Sequence, residues 1–232
     1  MKKIKAILCT VIFLIVLTFM FFHSLTFIFP PTEATVMLDS EGRGRLTDPR
    51  DEKVYKVTKI GEQIWMAENL NYDGGKGIGK CYDNDLVNCE KYGRLYNWNE
   101  AMKVCPKGWH LPSYEEWQMP YAYLGGGKEA INKLKAKNDW EKGNGTDDYG
   151  FSALPGGYYY GIFEFEYIGI LGYWWSATEA KDSNAMYLDM FGDDSGFAEI
   201  GKEYSIGDFK FKITNEEDKT LFMSVRCVKN NG

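Results

Sequence analysis

The sequence predicts an α+β domain built on antiparallel sheets, and three observations carry that reading. Strand-forming runs stand at both ends of the chain beyond its first 50 residues, and short helical patterns lie between them. Aromatic residues make up 16% of the chain and glycine is frequent, which suits a compact, loop-rich extracytoplasmic domain better than a disordered one.

At the N-terminus, Lys2, Lys3 and Lys5 precede a run from Ala6 to Phe29 without Asp, Glu, Lys or Arg. At about 1.5 Å per residue, that run is long enough to cross a hydrocarbon core of about 30 Å. Basic residues ahead of it favour a cytoplasmic N-terminus and place everything after Pro30 outside the inner membrane. Residues 1–34 therefore read as a signal anchor or signal peptide. The length favours an uncleaved anchor, and Thr32-Glu33-Ala34 offers a small-residue cleavage site that keeps the second option open. Cys9 lies too early in the run for lipoprotein acylation. Residues 35–47 read as a linker that runs into the polar tether GRGRLTDPRD (42–51), and residues 48–232 as one domain.

Within the domain, KVYKVTKIG (53–61) and QIWMAENL (63–70) are rich in strand formers and flank Gly61-Glu62, a hairpin. WNEAMKVC (98–105) predicts a short helix closed by Pro106. In SYEEW, Ser113 and Glu116 form an S-x-x-E capping box, so a helix starts at Tyr114; Pro120 should keep it short or kink it. KEAINKLKAK (128–137) sets Ile131 and Leu134 on one face among lysines, an amphipathic surface helix. Short aromatic strands follow: FSALPGGYYY, FEYIGILGYWWSATE, AMYLDMF and LFMSVRCVK.

The formal net charge is −6, and the domain is more acidic still because the N-terminal segment takes three lysines and only Glu33 with it. That balance argues against nucleic acid or anionic lipid as a partner. Cys81, Cys89, Cys105 and Cys227 form an even set, which in an oxidising compartment reads as two disulfides. Cys81 and Cys89 flank the polar loop YDNDLVN, which can fold back and join them, leaving Cys105 for Cys227. Zinc ligation would want CxxC-type spacing with histidine partners, and neither is present.

WMAENLNY, YGRLYNWNEAM, CPKGWHLPSYEEW, NGTDDYGFSALPGGY, YWWSATE and SVRCVK follow one another across residues 48–229. Together they resemble the Fibrobacter succinogenes major paralogous domain, a family of secreted or surface bacterial domains. The resemblance implies a C-type-lectin-like fold, with two or more short helices and with N- and C-terminal strands close together. More distantly it extends to formylglycine-generating enzymes. Those enzymes carry a catalytic cysteine pair with copper near the C-terminus, whereas only Cys227 follows Cys105 here.

CPKGWHLPSYEEW raises the question of a Cys105–His110 reaction centre, which would need a free thiolate and a group to orient the imidazole. The structural reading accounts for more residues: Cys105 bonds Cys227, and Trp109 and Trp117 join Trp65, Trp98 and Trp140 in the core. The adjacent acids Asp147-Asp148 and Asp193-Asp194 read as solvated turns rather than a hydrolytic pair. Binding is the expected function. Lectin-like folds hold calcium and sugar on acidic loops, which makes Asp83 and Asp85, Asp147 and Asp148, and the loop GDDSG (192–196) calcium candidates. The aromatic runs offer Tyr158, Tyr159, Tyr160, Tyr173, Trp174 and Trp175 for stacking on sugar rings, with about half of them turned into the core by strand alternation; Tyr158, Tyr160, Trp174 and Trp175 are the nominated set. Polysaccharide or cell-envelope proteins are the expected partners, the membrane is reached through the N-terminal segment, and no cofactor beyond calcium is implied.

Overall fold

The structure, a computed structural model, describes residues 33–75, 77–160, 164–179, 185–191, 204–206, 209–213 and 221–230. The N-terminal apolar segment with Cys9, and the loop 192–196, lie outside these. Among the described residues no helix is long and apolar enough to cross a membrane. The domain is α+β, with strands at both ends and the helices between them.

The first strands are β1 (Thr35–Leu38), β2 (Arg43–Thr47), β3 (Val54–Ile60) and β4 (Gln63–Met66). β3 and β4 form the predicted hairpin, with Ile60 opposite Gln63. Four helices follow: α1 (Leu86–Tyr92), α2 (Trp98–Val104), α3 (Tyr114–Tyr123) and α4 (Gly127–Leu134). Strands β5 (Leu95–Tyr96) and β6 (Trp109–His110) lie between them. The second half holds β7 (Gly156–Tyr160), β8 (Glu164–Ile168), β9 (Leu171–Glu179) and β10 (Ala185–Phe191). It ends in β11 (Tyr204–Ile206), β12 (Phe209–Ile213), β13 (Leu221–Ser224) and β14 (Val228–Lys229).

Two sheets result. One runs β1-β2-β3-β4-β14-β6, antiparallel throughout, so the last strand lies beside the N-terminal hairpin. The other runs β11-β12-β10-β9-β13-β7-β8 with β5 on β13, antiparallel except where β9 meets β13 and β7. Residues Val225, Arg226 and Cys227 carry the chain from β13 in one sheet to β14 in the other.

Residues 35–47, expected as a linker, are instead β1 and β2, part of the compact unit Ala34–Gly232. In β2 only Leu46 is fully buried, alternating with exposed Arg43, Arg45 and Thr47. One apolar residue among basic ones left the period-2 signal too faint to read as a strand. Leu46 packs with Tyr55 and Val57 in the core. Leu46→Ala is therefore expected to cost about 2–5 kcal/mol in urea denaturation. An unchanged midpoint would restore the linker reading.

The helix starts follow their caps. Asn97 and Glu100 make a reciprocal capping box at α2, and Ser113 and Glu116 make the predicted one at α3. α3 runs on to Tyr123 beyond Pro120, which is buried together with Trp117 and Tyr121. α1 replaces the expected polar loop: Asp85 caps it by accepting from the Val87 amide at 3.0 Å.

Two apolar clusters lie on opposite faces of β4 and β9. Met66 and Trp175 belong to the first with Tyr96, Trp98 and Trp109; Trp65 and Trp174 belong to the second with Trp117, Trp140 and Phe151. All five tryptophans expected in the core are buried.

Candidate functional site

The sequence motifs meet in a buried polar centre. Asn69, from WMAENLNY, is 4% exposed and Arg226, from SVRC, is fully buried. The Asn69 carbonyl oxygen accepts from Arg226 Nη2 at 2.9 Å, Arg226 Nε at 3.2 Å and Trp174 Nε1 at 2.8 Å. Its amide nitrogen donates to the Tyr92 carbonyl at 2.9 Å and to Ser224 Oγ at 3.2 Å. Three donors on one side and two acceptors on the other leave the amide a single orientation. Arg226 donates further to the carbonyls of Phe151 and Ser152, and its guanidinium lies 4.3 Å from the Phe151 ring centroid. Burial pushes its pKa down to about 9, partly offset by the charges of Asp147 and Glu68, so it remains charged at neutral pH. Gly93 is required here. Its φ is +77°, and a Cβ would stand 2.7 Å from that of Asn69.

The Cys105–His110 pairing does not occur. Cys105 is bonded to Cys227 and Cys81 to Cys89, with Cα separations of 5.9 and 4.9 Å. The imidazole of His110 instead bridges Asn230 Oδ1, 2.6 Å from Nδ1, and the Glu116 carboxylate, 2.8 Å from Nε2. Glu116 also accepts from the Ser113 amide, so the histidine ties the end of the chain to the capping box of α3.

The acidic candidates serve local turns. Asp85 caps α1, and Asp147 accepts from the Ser152 amide at 2.7 Å and hydroxyl at 2.6 Å. The Asp148 carbonyl accepts from Arg43 at 3.4 Å, and Asp83 sits at φ +54° in the turn before Asp85. Among the described residues no three His, Cys, Asp or Glu side chains gather in a form that could hold a metal ion.

The aromatic candidates divide. Trp174 and Trp175 are fully buried and cannot stack on a sugar, which corrects the expectation for both. Their strand is covered on both faces, so the alternation that should have turned one of them outward turns it into the other cluster. Tyr158 is half-buried, donates to Glu166 at 2.7 Å and meets Tyr173 edge to face. Burial, then the bond to Glu166, raises its pKa. Tyr160 is also half-buried, at the end of β7 opposite Glu164 and Leu221.

Their neighbour Tyr159 lines a groove of about 670 Å³, within the roughly 300–1,000 Å³ of small-molecule sites. It faces Phe222, its register partner on β13, with ring centroids 5.5 Å apart. The Lys80 ammonium stands 5.2 Å from the Tyr159 centroid and 5.4 Å from that of Phe222. Tyr72 also lines the groove, with the Arg50 guanidinium 3.7 Å from its ring centroid. α2 supplies Asn99, Glu100 and Lys103, and its N-cap supplies Asn97. Sequence reasoning offered Tyr159 among the aromatic candidates but missed the rest of this site. The alternation rule applied to YYY separates Tyr159 from Tyr158 and Tyr160, but nothing in the chain marks Phe222 and α2 as its neighbours.

Two intact disulfides and a core assembled from ordered sequence motifs define a stapled α+β domain suited to an oxidising, extracytoplasmic location. The chain belongs to the Fibrobacter succinogenes major domain family, whose model matches residues 58–229. No curated protein and no solved structure matches it.

Proposed function

We propose that the protein is a non-catalytic binding module of the bacterial cell envelope, held at the membrane by its N-terminal segment, with a C-type-lectin-like fold, and that it binds polysaccharide in the groove at Tyr159. The observation that carries this reading is the lining itself. Tyr159, Phe222 and Tyr72 offer aromatic surface for the apolar faces of sugar rings, and Asn97 and Asn99 offer amides for their hydroxyls. The placement of β14 beside β4 supports the fold likeness, because it brings both ends of the domain together. The alternative is an oxidase or hydrolase on a formylglycine-type fold; its oxidase form would use a free thiol pair, and Cys81, Cys89, Cys105 and Cys227 are all bonded.

The full chain, purified from an oxidising compartment in mild detergent, is expected to be retarded in native gels containing a cognate polysaccharide. The panel is run with and without calcium, because calcium belongs to the lectin expectation. Tyr159→Ala should weaken retardation about tenfold while leaving the thermal transition near that of the parent. Retardation indifferent to Tyr159→Ala would remove the groove from the binding reaction. Release of reducing ends from the polymer would show an enzyme instead.

A further inference from the structure

We propose that the groove selects an acidic sugar, a glycan bearing carboxylates on its pyranose rings; this rests on the reading of the groove as a glycan site. The argument is one of charge. The chain is acidic overall, with a formal net charge of −6, yet its groove carries two ammonium groups, Lys80 and Lys103, against one carboxylate, Glu100. Glu100 is already committed to the fold: its Oε2 accepts from the Asn97 amide at 3.1 Å to close the capping box of α2. Among the described residues neither lysine pairs with a carboxylate. Lys80 rests instead against the rings of Tyr159 and Phe222, which hold a cation beside aromatic surface.

That juxtaposition fits one ligand chemistry. A uronic-acid ring presents an apolar face, a set of hydroxyls and one carboxylate. The face lies on Tyr159 and Phe222, the hydroxyls reach Asn97 and Asn99, and the carboxylate meets the lysines. A neutral sugar leaves both ammonium groups unused.

The test is gel retardation of the full chain in polygalacturonate and in the same polymer after carboxyl reduction. Retardation by the acidic polymer alone, weakened by raising the salt, is expected. Lys80→Met with Lys103→Met, which keeps the aliphatic stems, should lower it about tenfold. Equal retardation by both polymers that depends on Tyr159 overturns the acidic selection and leaves the glycan reading standing. Retardation by both that ignores Tyr159 overturns the two together. Absence of retardation by either polymer overturns the acidic selection, and the neutral polysaccharide panel then decides the broader reading. Near-ultraviolet circular dichroism of each variant confirms the native core.

Discussion

Asn69→Leu is expected to lower stability by about 3–5 kcal/mol, because it strands a buried charge. In the native protein Arg226 is fully buried and, among the described residues, faces no carboxylate within hydrogen-bonding distance; its partners there are the Asn69 side-chain oxygen and the backbone carbonyls of Phe151 and Ser152. Leucine at position 69 removes the acceptor shared by Arg226 and Trp174, and with it the donors to the Tyr92 carbonyl and Ser224 Oγ. Each buried polar group so orphaned costs about 1–3 kcal/mol. Asn69→Asp separates the two halves of the effect. It keeps the acceptor, adds a charge opposite Arg226 and loses both donors, so its loss should be smaller than that of leucine. Arg226→Met should be less damaging in the Asn69→Leu background than alone, with a coupling above about 1 kcal/mol in a double-mutant cycle from urea denaturation. Strictly additive losses would show that the two residues do not act as one unit.

Local structure was the legible part of this sequence. The hairpin at Gly61-Glu62, the capping box at Ser113 and the amphipathic helix over Ile131 and Leu134 all rest on neighbours within a few residues, where spacing alone carries the physics. β2 escaped because its single buried residue, Leu46, stands between arginine and threonine. α1 escaped because it buries only Cys89 and Tyr92 and leaves Leu86 and Val87 exposed, too little of an apolar face to mark a helix. The groove failed for a different reason. Tyr72, Lys80, Lys103, Tyr159 and Phe222 are separated by up to about two thirds of the chain, and only the meeting of β13 with β7 beside α2 brings them together. The burial of both Trp174 and Trp175 is likewise a property of layers, since a strand covered on two faces carries no alternation to read. What the ordered motifs encode is the Asn69–Arg226 centre, so their recurrence in one chain marks the scaffold rather than the ligand.

Loss of the Cys105–Cys227 bond should be the most damaging covalent change in the domain. Cys227 is fully buried on the segment that passes from one sheet to the other, next to Arg226, and its backbone carbonyl accepts from the Met66 amide at 3.0 Å. Cys105 follows α2 at its C-terminus. The bond therefore fixes the crossover of the two sheets to the helix that forms one wall of the groove. The two cysteines are 122 residues apart against 8 for Cys81 and Cys89. Chain entropy then assigns about 4–5 kcal/mol to the long loop and about 2–3 to the short one. At about 2–4 °C per kcal/mol for a domain of this size, Cys105→Ala with Cys227→Ala should lower the melting temperature by about 10–20 °C. The Cys81→Ala, Cys89→Ala pair should lower it by roughly half as much. The long-loop variant should also show the steeper dependence on urea, because releasing that loop expands the unfolded chain and exposes more surface on denaturation. The reverse order of melting temperatures would show that local packing around α1, not loop closure, governs what the staples contribute.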